Sequence, residues 1–216
     1  MEHTLQTLTP AATAGDSRLG DHLSRVVVAG LFVALAVRIG ADFIETMHVT
    51  GLLLLASEAL VAALTLARRR AVQVDRRWDA RLVTVLSIAG PPLLRPSVGL
   101  ALMPDAQAAV IAACGLAVIV AGKISLGRSF GVVPANRGVV CDGLYRVVRH
   151  PIYVGYLVTH VAFMLSHLSW WNVGVLLASD VMLVVRASYE ERTLVADPRY
   201  AAYRSRVRWR LLPGVY

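Results

Sequence analysis

The stretch RHPIYVGYLVTHVAFMLSHLSWWNVGVLLASDVMLVVRASYEE (residues 149–191) decides the fold. It opens on Arg149, His150 and Pro151 and closes on Arg186, Glu190 and Glu191, with two apolar runs between, 152–168 and 170–185. At about 1.5 Å per residue, each run reaches roughly 24–26 Å, just short of a hydrocarbon core of about 30 Å. Both are therefore marginal spans. Trp170 and Trp171 suit an interfacial turn between them, so a tight helical hairpin is expected, with both charged ends returned to one side.

Composition supports a membrane setting. Of 216 residues, 56% are hydrophobic and only 17% charged, and mean hydropathy is +0.60, which argues against a soluble globular chain. Four earlier runs, 26–44, 49–67, 82–103 and 106–124, exceed the roughly 17-residue lower limit for a spanning helix. Pro91, Pro92 and Pro96 are expected to kink or break the third. The formal charge is +8, and every basic residue except Lys123 is Arg. The arginines flank apolar segments with few aromatics among them, which excludes a nucleic-acid partner in favour of membrane topology.

Their placement sets the orientation. Arg68, Arg69, Arg70, Arg76, Arg77 and Arg81 separate runs two and three. Lys123, Arg128, Arg137, Arg146 and Arg149 separate runs four and five, and seven arginines follow run six. The connections 45–49, 104–105 and 166–171 carry no Lys or Arg. The alternation implies six crossings with both termini cytoplasmic. The expectation is an all-α, polytopic integral membrane helical bundle of five to six transmembrane helices, with a C-terminal helical hairpin and a cytoplasmic cofactor pocket. A loose tail (1–21) precedes a four-helix transmembrane part (22–124) and a core (125–216). The Arg-rich, Lys-poor usage is that of a GC-rich, bacterial-type genome, which would place the chain in the plasma membrane. Cys114 and Cys141 have neither disulfide-framework nor zinc-site spacing, so both are expected as unpaired thiols and no metal is expected.

Charges inside the apolar runs are costly in hydrocarbon and should face protein or a wet cavity. Arg38 and Asp42, spaced i, i+4, can pair with each other. Glu58 and Arg95 are candidate partners between helices. Asp180 either reaches toward a cytoplasmic cavity or is a buried, hydrogen-bonded carboxylate. Pro151 suits the first turn of a helix, and the N–H groups of that helix start are a candidate anion site beside His150 and Tyr153. Arg186 and Glu190 share a helix face, i, i+4. Adjacent Glu190 and Glu191 point about 100° apart, so one can face a ligand while the other holds an Arg of the linker.

Taken together, the motifs resemble the membrane-embedded isoprenylcysteine carboxyl methyltransferase family and its phospholipid N-methyltransferase relatives. The matching residues, in order, are Gly127-Arg128-Ser129-Phe130, Gly143-Leu144-Tyr145 and Arg149-His150-Pro151-Ile152-Tyr153-Val154-Gly155. After the hairpin come Arg186, Glu190-Glu191-Arg192-Thr193-Leu194, Tyr200-Ala201-Ala202-Tyr203 and Leu211-Leu212-Pro213. The resemblance covers roughly 120–216. Two departures concern loops: Asp142 stands before Gly143-Leu144 where many relatives have Gly-Pro-Tyr, and ADPRY (196–200) replaces a common Phe-Gly before the first Tyr.

The resemblance implies an S-adenosylmethionine-dependent methyltransferase with a lipophilic acceptor, such as the carboxylate of an isoprenyl-cysteine or a similar lipid-like molecule. It implies cofactor binding by Gly143, Leu144, Tyr145, Arg149, His150, Pro151, Tyr153, Glu190 and Glu191. Acceptor contacts would come from Arg128, Phe130 and Arg186, and the chemistry would rest on Arg186 and Glu190. Partners would be a lipophilic or lipidated substrate and membrane lipids. The nearest rival is a nicotinamide-dependent sterol-type reductase, whose Arg-His-Pro-Asn-Tyr and following acid are absent here, where Ile152 and Tyr156 stand. A non-catalytic scaffold is the other alternative.

Overall fold

A computed structural model describes residues 73–75, 77–94, 100–131 and 134–215, together with Val26, Gly30, Val33, Val37, Ile44, Ala63, Leu64, Leu66, Ala67 and Arg69. The tail 1–21, most of the first two apolar runs, and the pairs proposed for Arg38, Asp42, Glu58 and Arg95 lie outside the described residues. The described chain is mostly helical: α1 (Trp78–Leu93), α2 (Asp105–Leu126), α3 (Pro151–Ser166), α4 (Trp170–Leu194) and α5 (Pro198–Arg206). Short 3-10 turns occupy Gly127–Ser129 and Gly143–Arg146. A two-residue antiparallel ladder joins β1 (Gln73–Val74) to β2 (Ala135–Asn136), with Gln73 opposite Asn136.

Among the described residues, two helices are long and apolar enough to cross a membrane, Ala106–Ser129 with its terminal turn and Trp170–Leu194. α3 is apolar but shorter, at 16 residues. The third run ends early: α1 stops at Leu93, just after Pro91 and Pro92. Beyond it the backbone of Leu100 exchanges two hydrogen bonds with Leu168, at 2.8 and 3.0 Å, beside the hairpin turn. The sixth run, marginal by hydropathy, is only the first part of the 25-residue α4, which continues unbroken through Arg186 and both glutamates. Hydropathy ends the run at the first charge, whereas the helix continues because those charges find partners within the fold.

In lipid no hydrophobic force drives helix against helix, so close backbone approach has to hold the bundle. The most extensive contacts run between α2 and α3 and between α1 and α4, and the two hairpin helices touch each other much less. Small residues mark both seams. A Cβ added at Gly155 would lie 2.7 Å from the Gly115 carbonyl oxygen, and one added at Gly115 would lie 2.9 Å from that of Gly155. On the other seam a Cβ at Gly90 would meet Ser179 at 2.6 Å. Ser179 Oγ donates to the Ser87 carbonyl at 3.0 Å, and Tyr189 donates its hydroxyl to Asp79 at 3.0 Å. Val85, Ile88, Val110, Ile124, Val161 and Leu177 are exposed. Such outward apolar faces belong against hydrocarbon.

At the hairpin tip Ser169 caps α4 by accepting the Asn172 N–H at 3.2 Å. Trp171 donates its indole N–H to the Leu93 carbonyl at 3.0 Å, and Trp170 is exposed, an arrangement suited to a membrane–water boundary. At the opposite end Asp197 caps α5, accepting from the Arg199 N–H and from the Asn136 amide. Those two donors, the Asn136 amide first, hold its carboxyl below the usual range. Tyr200 and Tyr203 pack with Tyr145, and Tyr203 donates to the Tyr145 carbonyl at 2.8 Å. Burial pushes all three phenols above their ordinary values, so they stay neutral.

Gly155→Val or Gly115→Val should force α2 and α3 apart, at a cost of about 1–3 kcal/mol for the overpacking. Thermal unfolding in detergent should show a lower midpoint for either variant than for Gly174→Ala, a position where an added Cβ meets nothing within 4 Å.

Candidate active site

The charged ends of the hairpin meet at the base of the bundle. Pro151 at the first turn of α3 sets the helix direction, and Arg149 and His150 sit just before it. From α4, Glu190 and Glu191 project in different directions. Glu191 is almost fully buried. Its Oε1 accepts from Arg149 Nε at 2.8 Å and from His150 Nε2 at 3.2 Å, and its Oε2 from Arg210 Nε at 3.1 Å. Arg149 also donates to the carbonyls of Val207 and Arg208, at 2.9 and 2.7 Å.

Glu190 faces elsewhere. Its Oε1 accepts the Tyr153 hydroxyl at 2.5 Å and Arg186 Nε at 3.1 Å. Its Oε2 lies 3.7 Å from His150 Nδ1. The Arg186 guanidinium sits 5.5 Å from the centroid of the Tyr153 ring and reaches Ser87 Oγ at 3.4 Å, so α1 joins the site as well. The His150 and Tyr153 rings stack at 5.3 Å and 10°. His150 thus stands between the two glutamates, and Tyr153 between His150 and Glu190.

Two of the N–H groups just before α3 are already taken. The N–H groups of Arg149 and His150 donate to the carbonyls of Trp209 and Arg210, both at 2.9 Å, and that of Tyr153 turns back to the His150 carbonyl. Pro151 has no N–H to offer. The returning segment 207–210 satisfies the Arg149 and His150 donors with main-chain carbonyls, which import no charge.

The other candidate residues are spread around this centre. Phe130 is buried in one core with Ile119, Ile152, Tyr153, Leu183, Ala187 and Leu211. Arg128 is exposed, and its Nε donates to the Ala67 carbonyl at 3.1 Å, tying the linker to an earlier segment. Gly143 has φ +61°, and an added Cβ would meet Ser125 Oγ at 2.6 Å, so only glycine fits. Tyr145, in the turn that also holds Leu144, packs on the α5 tyrosines and makes no hydrogen bond with either glutamate. Ser87 and Arg210 went unnoticed in the sequence. Neither carries a motif, and each is recruited by packing from a distant segment.

A cavity of about 400 Å³ opens beside Glu191, lined by Ser188, Arg192, Val195, Arg204 and Arg210. Its volume is within the range of small-molecule sites. Charges of both signs, a hydroxyl and an apolar side chain meet there.

Residues 106–198 match the phospholipid methyltransferase family. The match runs from the start of α2 to the first residue of α5, so it contains the hairpin, Arg186 and both glutamates. It bears out the resemblance drawn from the ordered motifs: this segment is similar to a family of methyltransferases. No curated protein matches the chain.

Within the matched segment, Arg149 should be the most fragile residue. Arg149→Ala leaves the Glu191 carboxylate buried with one charged partner fewer, a defect of about 3–5 kcal/mol for a broken buried pair. Arg149→Lys keeps the charge but cannot reproduce the planar fork that reaches both Glu191 and the 207–208 carbonyls. Thermal unfolding should show a large loss for the alanine variant. Hydrogen exchange should show the lysine variant selectively unprotected at residues 149–150, whose N–H groups the segment 207–210 covers.

Proposed function

We propose that this protein transfers the methyl group of S-adenosylmethionine to the carboxylate of a lipophilic acceptor, an isoprenyl-cysteine or similar lipid-like molecule, at the cytoplasmic face of the plasma membrane, with both termini on that side. The observation that carries the reading is the Tyr153–Glu190–Arg186 constellation. Its Glu190 adjoins Glu191, which lines the polar cavity, and the three residues lie inside the segment that matches a methyltransferase family.

The residues present suit the cofactor. The arginines of the roughly 400 Å³ cavity can receive the carboxylate of its methionine part, and Oε2 of the less buried Glu190 can accept from an amino or hydroxyl donor. His150 and Tyr153 offer a stacked aromatic face with polar edges beside Glu190. When bound, S-adenosylmethionine supplies an electrophilic methyl on a sulfonium leaving group. Gly143, Leu144 and Tyr145 act from behind, setting the turn that packs the linker on α5.

Each side chain then has a task. Arg186, already held by Glu190 and Ser87, presents a guanidinium fork that matches a carboxylate and fixes the direction of approach. Glu190, fixed by Tyr153 and Arg186, places negative charge where a sulfonium would be favoured. Phe130, Ile152 and Leu183 back the site with apolar surface and exclude water. Arg128 holds the linker against the preceding segment. A carboxylate acceptor needs no deprotonation, so proximity and alignment carry the rate.

Calorimetric titration of the detergent-purified chain with S-adenosylhomocysteine should show saturable binding, weakened at least about tenfold by Glu190→Gln, which loses hydrogen bonds to a charged group. Arg186→Lys should keep that binding but lower methyl transfer to a fatty-acid carboxylate by about 10²-fold, as for loss of one preorganised donor. A folded wild-type sample that binds no S-adenosylhomocysteine would overturn the reading, and titration with a reduced nicotinamide would then test the reductase alternative.

A further inference from the structure

A second ionisable cluster lies deeper in the apolar part of the bundle. His160 of α3 meets Asp180 of α4, Nδ1 to Oδ1 at 2.6 Å. His160 is seven residues beyond Tyr153 and Asp180 ten before Glu190. At about 1.5 Å per residue the pair sits roughly 10–15 Å from the candidate active site. Asp180 therefore does not reach toward the polar end of the bundle.

The two main seams of the bundle do not use this pair. α3 packs on α2, and α4 on α1, through glycine and serine seams. An ionisable pair at such depth is costly and calls for a use. Only one atom of each group is engaged: among the described residues, His160 Nε2 and Asp180 Oδ2 meet no hydrogen-bonding partner. The Tyr156 ring stacks on His160 at 6.4 Å and 20°, fixing the imidazole plane.

Both groups line a cavity of about 210 Å³ whose other walls are Leu102, Val161, Met164, Leu165, Leu168 and Leu176. Leu102 and Val161 are exposed, so the cavity opens on the lipid-facing side. It is larger than the roughly 150 Å³ apolar cavity that holds benzene and smaller than the roughly 300 Å³ lower end for drug-sized ligands. It therefore takes a segment of a chain with one polar group on it.

The polar atoms specify that group. A contact of 2.6 Å between imidazole and carboxylate contains a proton. With a neutral imidazole the two remaining atoms both accept; with an imidazolium one donates and one accepts. A hydroxyl, donor and acceptor at once, can bond to the pair in either state. A carbonyl satisfies only the second, and a methylene neither.

We infer that the His160–Asp180 cavity binds a lipid chain through a mid-chain hydroxyl and selects methyl acceptors that carry one. The acceptor role rests on the methyl-transfer reading above; the binding role stands without it.

Ricinoleic acid differs from oleic acid by one mid-chain hydroxyl, so the two form the test pair. Their dissociation constants would be measured by native mass spectrometry on the detergent-purified full chain, with S-adenosylhomocysteine titrated into the same samples. Wild type should bind ricinoleic acid about tenfold more tightly than oleic acid, the effect of a hydrogen bond to a charged group. Asp180→Asn and His160→Leu should each bring the two acids to near-equal affinity while S-adenosylhomocysteine binding persists. Leu102→Trp, on the exposed rim, should weaken both acids together. Equal binding of the two acids by wild type, or a preference that survives both dyad variants, overturns the proposal. A hydroxyl preference in a folded sample that binds no S-adenosylhomocysteine upholds the cavity and removes only the acceptor role.

Discussion

The Glu191 carboxylate is the constraint on which the rest depends. One buried anion collects Arg149 and His150 from the linker and Arg210 from the C-terminal segment. Left unpaired in the interior, any of these charges would cost several kcal/mol, so none can leave alone. Arg149 extends the grip through the Val207 and Arg208 carbonyls, and backbone bonds from residues 149 and 150 to residues 209 and 210 complete it. The end of α4, the start of α3 and the returning chain become one unit. Glu190 follows from this, because a neighbour on the same helix is turned by about 100°. Once Glu191 is fixed, Glu190 can face only Tyr153 and Arg186.

Much of this architecture could be read from the chain, and what could not has a physical reason. Continuous apolarity located α2, α3 and the first part of α4, and the turn at Ser169 was marked by the tryptophans beside it. The order of the Arg-His-Pro and Glu-Glu motifs around a hairpin pointed to their meeting. The full length of α4 was obscured because Arg186, Glu190 and Glu191 look like the end of a span to any measure of hydropathy. Which helix packs on which was also hidden: a helix apolar on every side has no stripe to aim it, and the seams rest on Gly115, Gly155, Gly90 and Ser179.

The candidate site shows the same limits at the level of single residues. Arg149, His150, Tyr153, Arg186 and both glutamates announce themselves because charge beside lipid demands a partner. Ser87 and Arg210 do not, since a hydroxyl in a helix and one arginine among many carry no local signal. The return of residues 207–210 along 149–150 was equally silent, because main-chain pairing has no side-chain signature. Asp180 was conspicuous as a charge in an apolar run, yet its partner was not: His160 is on another helix, in a run that hydropathy alone treats as uniform.

The division of labour between the two glutamates bears on how such a site can evolve and still hold together. Glu191 spends its hydrogen-bonding capacity on three partners that tie two other segments of the chain to α4, and it is nearly sealed from solvent. Glu190 is more accessible, with 21% side-chain exposure against 4% for its neighbour, and its Oε2 lies 3.7 Å from His150 Nδ1. A carboxylate that secures the fold cannot also yield to a ligand without loosening three segments. Placing a second carboxylate one residue on frees it from that duty while keeping it rigid, since Tyr153 and Arg186 fix it from α3 and α4. The adjacent pair thus separates architecture from ligand contact within a single helical step, and the positional rigidity that alignment-driven chemistry requires comes from the neighbour that does not take part.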